Sequence, residues 1–284
     1  VEGAAGIAMR FGIPQLVIGL TIVAMGTSAP EAAVSIAAAV KGNADITIGN
    51  IVGSNILNIL VILGLAASIV PIAVARSTVR IEIPFMIGVT ALLFYQGRDG
   101  SISLADGGVL MVAFAVYMMY LYTMAMKSNV DSDLEEPGLP LGRCLLGAVG
   151  GLALIIAGSN VTVGAATSIA TYAGLSERFI GLTIVALGTS LPELFTSVAA
   201  ARRGNADIAI GNIVGSNIFN ILFVVGLSSL IIDIPFASAF NFDTYVALGA
   251  AVLLWLCVLR TQRLQRWAGA LMLVCYAAYL GYIM

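Results

Sequence analysis

Long apolar stretches recur along the chain, and short polar segments separate them. Mostly apolar runs cover 144–157, 219–232, 245–259 and 268–284. A helix needs about 20 mostly apolar residues to cross the hydrocarbon core of a bilayer. The pattern therefore predicts membrane-spanning helices, which we place at 13–40, 46–70, 81–96, 104–126, 144–171, 179–201, 207–231, 242–260 and 265–283.

The composition strengthens this interpretation. Hydrophobic residues make up 60% of the chain and charged residues 10%, with a mean hydropathy of +1.03. A soluble domain is nearer half apolar and a quarter charged, and so little polar sequence could not cover a soluble core of this size. We therefore predict an all-α polytopic membrane protein. Histidine is absent from the sequence. Cys144, Cys257 and Cys275 lie in apolar runs without metal-site spacing, so we expect them to pack as small apolar residues.

One segment of 43 residues occurs twice. Residues 18–60 read IGLTIVAMGTSAPEAAVSIAAAVKGNADITIGNIVGSNILNIL, and residues 180–222 read IGLTIVALGTSLPELFTSVAAARRGNADIAIGNIVGSNIFNIL. The two copies are identical at 33 of 43 positions, at an offset of 162 residues. Because the polar residues match best, general apolar character does not explain the identity of the two copies. Repeated halves in a membrane protein are typical of transporters built around a pseudo-two-fold axis.

The basic residues predict how the chain is oriented. Alternate loops hold ten of them, against three in the other loops, and the positive-inside rule places the richer set in the cytoplasm. The polar segment 127–140 belongs to that set and is expected to be a linker, which leaves the C-terminus outside. The two copies then enter the membrane in opposite directions. The richer set is Arg10, Arg76, Arg80, Lys127, Arg143, Arg202, Arg203, Arg260, Arg263 and Arg266, and the other is Lys41, Arg98 and Arg178.

Inverted copies require an odd number of spans in each half. The second half begins with the helix at 144–171, but the counterpart of that helix would lie mostly ahead of residue 1. We therefore expect two inverted repeats of five helices each in the native protein, with the first helix largely missing and nine spans in this chain. The predicted divisions are a first repeat at 1–126, a cytoplasmic linker at 127–140 and a second repeat at 141–284.

Pro30 interrupts the first repeated helix, and Glu31 follows it directly. Proline removes a backbone hydrogen bond and presses on a carbonyl one turn earlier, which frees carbonyl oxygens near Ala24. Thr27, Ser28 and Glu31 share one helical face. Irregular backbone at membrane depth is tolerated only where it is buried in protein or lines a cavity. The second copy repeats every element with Ala186, Thr189, Ser190, Pro192 and Glu193.

The next helix in each copy presents amide and hydroxyl groups at intervals of four residues, which places them on one face. They could be interhelical hydrogen-bonding groups or ion ligands, and the shared face favours ligands. Asn55 and Asn217 lie on another face and are expected to hydrogen-bond between helices. The residues that share a face are Asn50, Ser54 and Asn58 in the first copy and Asn212, Ser216 and Asn220 in the second.

No lysine or arginine lies in these helices to compensate Glu31 or Glu193. A buried charge costs several kcal/mol unless something compensates it, and hard cations such as Ca²⁺ prefer carboxylate, hydroxyl and carbonyl oxygens. The two carboxylates balance the charge of one calcium ion, or they bind more than one sodium ion. A site that takes either ion in turn is an exchanger.

Other functions are weighed against this one. Two protonated, packed glutamates are disfavoured by their symmetric positions beside hydroxyl groups and prolines. In a cation channel the same oxygens would form a filter, but here one chain supplies both halves of a closed site. An enzyme is not expected, because no activated nucleophile is evident in the polar core.

The motifs IGLTIVAMGTSAPE and IGNIVGSNILN, with their second copies, resemble the alpha-repeats of the cation/calcium antiporter superfamily, and most of all its prokaryotic sodium/calcium exchanger branch. The resemblance implies ten helices in two inverted halves, Na⁺/Ca²⁺ antiport by alternating access at mid-membrane, and a prokaryotic inner-membrane location. Its partners would be the two ions and the lipid bilayer, with no organic cofactor or nucleic acid. A calcium/proton antiporter is the alternative, but that branch tends to have GNxxE where this chain has GTSxPE.

The resemblance also implies roles for single residues. Glu31 and Glu193 would be the central calcium ligands and would also serve sodium. Some relatives have Asp where Asn220 stands, which disfavours potassium coupling here. In the family the first helix slides with the helix at 144–171, so we expect transport to need that helix. The other implied ligands are the oxygens of Thr27, Ser28, Thr189 and Ser190, the carbonyls of Ala24 and Ala186, the outer sodium ligands Ser54 and Ser216, and the pair Asn58 and Asn220.

Overall fold

The protein is almost entirely helical in the computed structural model, which describes residues 2–41, 45–128, 140–172 and 186–283. Several helices consist of consecutive segments with different hydrogen-bond periods. The helices are α1 (Glu2–Phe11), α2 (Gln15–Thr27), α3 (Ala29–Val40), α4 (Asp45–Leu57, Asn58–Leu63 and Gly64–Ile69), α5 (Thr78–Asp99), α6 (Leu104–Ser128), α7 (Leu141–Tyr172), α8 (Ala186–Thr189), α9 (Leu191–Arg202), α10 (Ala206–Ile231), α11 (Ala239–Leu259) and α12 (Arg266–Ile283).

The expectation of an all-α membrane protein is confirmed. Seven helices of the described part are long and apolar enough to cross a bilayer, and the bent pair α2 and α3 would make eight. The span at 179–201 is described only from residue 186 onwards, and residues 129–139 of the linker also lie outside the described ranges. The count of nine spans, the repeat boundaries and the linker therefore remain predictions.

Two short antiparallel ladders join loops of the two halves. Strand β1 (Ile72–Ala73) pairs with β4 (Arg263–Leu264), and β2 (Ser101–Ile102) pairs with β3 (Ile234–Pro235). In register, Ile72 is opposite Leu264 and Ile102 is opposite Ile234. Adding the repeat offset of 162 converts position 72 to 234 and position 102 to 264. The pair Ile72–Leu264 therefore corresponds to the pair Ile234–Ile102, so the two ladders are equivalent when the halves are exchanged. The sequence pattern predicted none of these strands.

Helices α4 and α10 form the centre of the molecule. Of the most apolar 18-residue stretch of α10, 94% is buried, and the corresponding share is 78% for α4. For α6 it is only 17%. Both central helices contain a π-helical segment, Asn58–Leu63 in α4 and Asn220–Val225 in α10. These segments begin at the repeated asparagines, and π-helical turns are frequent at functional sites.

Small residues allow the central helices to approach their neighbours closely. A Cβ atom on Gly215 of α10 would lie 2.7 Å from the carbonyl oxygen of Leu20 and 2.9 Å from Cβ of Ala24, both in α2. At these distances a side chain would force the helices apart. Cys144 fills a similar close contact, because a Cβ on Gly6 would lie 2.5 Å from its Sγ. Cys144 thus packs as a small buried residue between α1 and α7, as expected.

Candidate ion-binding site

A break in the helical backbone lies at the same position of each copy. Helix α2 ends at Thr27, Ser28 has φ −81° and ψ 6°, and α3 continues at an angle of 49°. In the second copy, Ser190 has φ −86° and ψ 3° and precedes α9. A proline in the first turn of α3 and of α9 accounts for both breaks, because it cannot donate the hydrogen bond that would continue the helix.

The two acids follow the breaks directly. Glu31 lies in the first turn of α3 and Glu193 in the first turn of α9, and both side chains are fully buried. The positive end of the helix dipole favours a carboxylate at this position. The one ion pair of the described residues joins Arg203 to Glu2 at the surface, so no basic side chain compensates either buried acid within the described part.

Each acid accepts a hydrogen bond from the break of the other copy. Ser28 Oγ donates to Glu193 Oε1 at 2.8 Å, and Ser190 Oγ donates to Glu31 Oε1 at 3.1 Å. Ser216 Oγ lies 3.4 Å from both Glu193 Oε1 and the carbonyl oxygen of Ala24. The structure therefore assembles one polar centre from residues that are about 160 positions apart.

Five buried oxygens of the candidate residues have no hydrogen-bond partner among the described residues. Unpartnered buried polar atoms are uncommon in native proteins, and each requires an explanation. Two of the five belong to carboxylates, so a bound cation would satisfy them and also compensate their charge. The five oxygens are Oε2 of Glu31, Oε2 of Glu193, Oδ1 of Asn58, Oδ1 of Asn220 and Oγ of Ser54.

The asparagines of α4 and α10 form a reciprocal network at the helix crossing. Asn55 Nδ2 donates to the carbonyl oxygen of Asn217, and Asn217 Nδ2 donates to that of Asn55, both at 3.2 Å. Asn58 Nδ2 donates to Asn217 Oδ1 at 2.9 Å, and Asn220 Nδ2 donates to Asn55 Oδ1 at 3.1 Å. The interhelical bonds expected for Asn55 and Asn217 are thus present. They occupy the amide nitrogens of Asn58 and Asn220 and leave only oxygens for a ligand.

A second set of amides supports the backbone of each acid. Asn212 Nδ2 donates to Ser197 Oγ at 2.9 Å and to the carbonyl oxygen of Glu193 at 3.5 Å. Asn50 makes the equivalent bonds to Ser35 and Glu31 at 3.0 and 3.3 Å. Ser35 and Ser197 were not among the residues predicted from the sequence. The available signal was their identity in both copies, four residues after each glutamate.

The remaining candidates lie beside the acids. Thr27 Oγ1 lies 3.0 Å from Asn212 Oδ1 and 3.2 Å from the carbonyl oxygen of Ala24, and its single proton can be donated to either. Thr189 is buried at the end of α8, which begins at Ala186. A cavity of about 140 Å³ opens between α1, α2 and α7, and both Thr27 and Leu152 line it. Hydrogen-bond contacts therefore join Ser28, Ser190, Ser216 and the Ala24 carbonyl to the two acids in one buried location, and a neighbouring cavity borders it at Thr27.

Comparison with known proteins identifies the group to which this geometry belongs. The family model described as "Sodium/calcium exchanger protein" matches residues 1–123 and 144–284. The chain belongs to this exchanger family. It is therefore a membrane transporter by family and not an enzyme.

Relatives match over nearly the whole chain. The sodium/calcium exchanger MaX1 of Methanosarcina acetivorans is 32% identical over 99% of this chain and 92% of its own. Inner membrane protein YrbG of Escherichia coli is 42% identical over 80% of this chain and 73% of its own. A solved structure of the sodium-calcium exchanger NCX_Mj, soaked with Na⁺ and Sr²⁺, is 34% identical with a TM-score of 0.85, over 98% of this chain and 90% of that one.

Proposed function

We propose that this protein exchanges Na⁺ for Ca²⁺ across a membrane by alternating access to the buried centre around Glu31 and Glu193. The observation that carries the proposal is the pair of reciprocal bonds from Ser28 and Ser190 to these acids, which leaves both Oε2 atoms unpartnered. Two carboxylates balance the charge of one Ca²⁺, and the Asn58 and Asn220 oxygens add neutral ligands of the type that Ca²⁺ accepts.

Sodium would use an overlapping set of oxygens. Ser216 Oγ lies between the Ala24 carbonyl and Glu193 Oε1, which suits a smaller charge shared with the central acid. By the repeat, Ser54 and the carbonyl of Ala186 would form the equivalent site in the other half, together with Thr189. Because Glu193 would serve both ions, binding one would exclude the other, which is the requirement for exchange.

Inverted repeats account for the contacts across this centre. The Ser28–Glu193 bond and the Asn58–Asn217 bond each have a counterpart at an offset of 162 residues, and so do the two strand ladders. The contact of Ser216 with Glu193 has none, because Ser54 Oγ lacks a partner among the described residues. A two-fold axis in the membrane plane would produce this relation. We infer that the native protein has two inverted halves, with the linker in the cytoplasm and the C-terminus outside. The inner-membrane relative supports a prokaryotic inner-membrane location.

The cavity beside Thr27 provides a route for alternating access. Helices α1 and α7 bound it, and they contact each other without an intervening side chain, since a Cβ on Gly3 would lie 2.3 Å from the carbonyl oxygen of Cys144. Such a close contact would let α1 and α7 move together as one pair along the ion-binding core.

The experiment that tests the proposal is calcium flux into sealed proteoliposomes that contain the native, full-length protein. Sodium, potassium and proton gradients are imposed one at a time at equal ionic strength. We expect calcium uptake to follow the sodium gradient alone and to be lost in Glu31→Gln. Uptake driven only by protons would establish the calcium/proton alternative, and uptake at a channel-like rate without any counter-ion would establish a channel.

A further inference from the structure

Glu82 is a third buried carboxylate, outside the centre formed by Glu31 and Glu193. It ends the π-helical segment Thr78–Glu82 of α5, and its side chain is fully buried. Tyr120 of α6 donates a hydrogen bond to Glu82 Oε1. Glu82 Oε2 has no hydrogen-bond partner in the described part of the chain. A buried carboxylate with one free oxygen is costly, so the site needs a further partner.

Two more buried oxygens without a partner belong to the same cluster. They are Thr78 Oγ1 and the Tyr117 hydroxyl, on side chains that are 0% and 4% exposed. Thr78 lies four residues before Glu82, and Tyr117 lies three residues before Tyr120, so each pair shares a helical face. The ring of Tyr117 also stacks on that of Tyr120, with the ring centroids 6.5 Å apart. Thr78 thus shares a face of α5 with Glu82, and Tyr117 packs against Tyr120, the hydrogen-bond partner of Glu82.

No basic group compensates Glu82 within the described residues. The side chain that hydrogen-bonds to its carboxylate is Tyr120, which is neutral. Arg80 lies on the same helix, but its side chain is exposed and forms no ion pair in the described part. The negative charge must therefore be balanced by a group that the protein takes from solution.

The cluster does not belong to the duplicated ion site. At the repeat offset of 162, the counterpart of Glu82 is Thr244, and that of Thr78 is Phe240. Helix α11 is regular over Ala239–Leu259, where α5 has its π-helical segment. Both differences confine the unsatisfied cluster to the first half, and a π-helical turn frequently marks a functional position.

We propose that Glu82, Thr78 and Tyr117 form a second cation site, which binds one monovalent cation, a sodium ion or a proton. One carboxylate supplies one negative charge, so a divalent ion would leave a net positive charge in a medium of low dielectric constant. A sodium ion would contact Glu82 Oε2 and the two hydroxyl oxygens. A proton would reside on Glu82 Oε2 and be donated to one of these hydroxyls.

The chain contains a suitable reporter of this site. Trp255 Nε1 donates a hydrogen bond of 2.9 Å to the carbonyl oxygen of Val79, inside the π-helical segment. The only other tryptophan in the sequence is Trp267. Trp267→Phe would make fluorescence specific to Trp255, and adding Glu31→Gln with Glu193→Gln would remove the response of the central site.

The experiment titrates this background protein with NaCl against choline chloride at fixed pH, and then with pH in the absence of sodium. We expect a saturable change of Trp255 emission in at least one titration, and we expect Glu82→Gln to abolish it. Tyr117→Phe should shift the midpoint by about five-fold, the usual effect of one lost hydrogen bond. Tyr279→Phe, at the equivalent position of the second half, is the matched control and should leave the midpoint unchanged.

The outcomes separate the two cations. A response to sodium alone assigns the site to sodium, a response to pH alone assigns it to a proton, and mutual competition shows that both use it. A Trp255 emission that responds to neither cation overturns the proposal, as does a Glu82→Gln variant that responds like its parent. If Glu82→Gln does not fold, an unchanged midpoint in Tyr117→Phe overturns it instead.

Discussion

Ser28 and Glu193 are 165 positions apart in the chain, yet Ser28 Oγ donates a hydrogen bond of 2.8 Å to Glu193 Oε1. The reverse bond runs from Ser190 to Glu31 at 3.1 Å. Each acid is therefore oriented by the helix break of the other half, and neither half contains a complete site. Ion binding thus depends on the packing of the two halves as well as on the acids themselves.

Replacing either central acid should abolish tight calcium binding. Glu31→Gln and Glu193→Gln each remove one of the two charges that would balance Ca²⁺. Breaking a buried ionic contact costs about 3–5 kcal/mol, so we expect the Kd for calcium to rise at least about 100-fold. Isothermal titration of the purified variants measures this change. Glu2→Gln, which alters an exposed acid, is the control, and wild-type affinity in either central variant would contradict a shared site.

The two serines should contribute equally to calcium affinity. Ser28→Ala and Ser190→Ala each remove one reciprocal hydrogen bond to a carboxylate, and we expect each to weaken calcium binding by about ten-fold, or roughly 1.5 kcal/mol. Titration calorimetry on both variants provides the comparison. A large loss in one variant with none in the other would show that the centre does not act symmetrically.

Asn217 should act through Asn58 and not directly on the ion. Asn217 Oδ1 accepts a hydrogen bond from Asn58 Nδ2, which fixes the Asn58 amide and leaves its Oδ1 atom without a partner among the described residues. We expect Asn217→Ala to weaken calcium binding by about five-fold, the effect of one hydrogen bond. The same change should cost little more when Asn58→Ala is already present. Fully additive losses in this double-mutant cycle would contradict a positioning role.

The amide of Asn220 should determine which ions are coupled to calcium transport. Asn220→Asp adds a third carboxylate to the buried centre, and with it a titratable group. We expect calcium flux in this variant to become more sensitive to pH or to acquire potassium dependence. Initial rates in proteoliposomes across a pH series, with and without potassium, measure both effects. Asn205→Asp, which adds an acid just before α10, is the control. If calcium flux in Asn220→Asp keeps the wild-type dependence on pH and on potassium, position 220 does not determine the coupling.

Adjacent glycines in α6 should respond differently to alanine. A Cβ on Gly107 would lie 2.1 Å from Ser229 Oγ and 2.9 Å from the carbonyl oxygen of Gly226, whereas nothing described lies within 4 Å of a Cβ on Gly108. We expect Gly107→Ala to destabilise the protein by about 1–3 kcal/mol through overpacking against α10. Gly108→Ala should be neutral or stabilise α6 by about 0.5–1 kcal/mol. Thermal unfolding of both variants in detergent decides the matter, and equal melting temperatures would contradict the close contact.

Much of the candidate site could be predicted from the sequence because the motif that carries it occurs twice. Apolar run length predicted the membrane helices, since a bilayer sets a minimum span. The duplicated GTSxPE motif singled out Glu31 and Glu193, since a carboxylate beside a helix-breaking proline has no ordinary structural purpose in a membrane. The face shared by Asn58 and Ser54 followed from helical periodicity alone.

Contacts between the halves were decided only by the tertiary structure. That Ser28 binds Glu193 and not Glu31 depends on how two helix breaks meet, and no local pattern encodes this pairing. The orientation of the Asn58 amide depends on Asn217 of another helix. Glu82 lies outside the duplicated segment, so no sequence pattern marks it. Only its burial against α6 shows that its charge lacks a partner among the described residues. Periodicity reports which side chains share a face of one helix, whereas the partner of that face depends on packing over the whole chain.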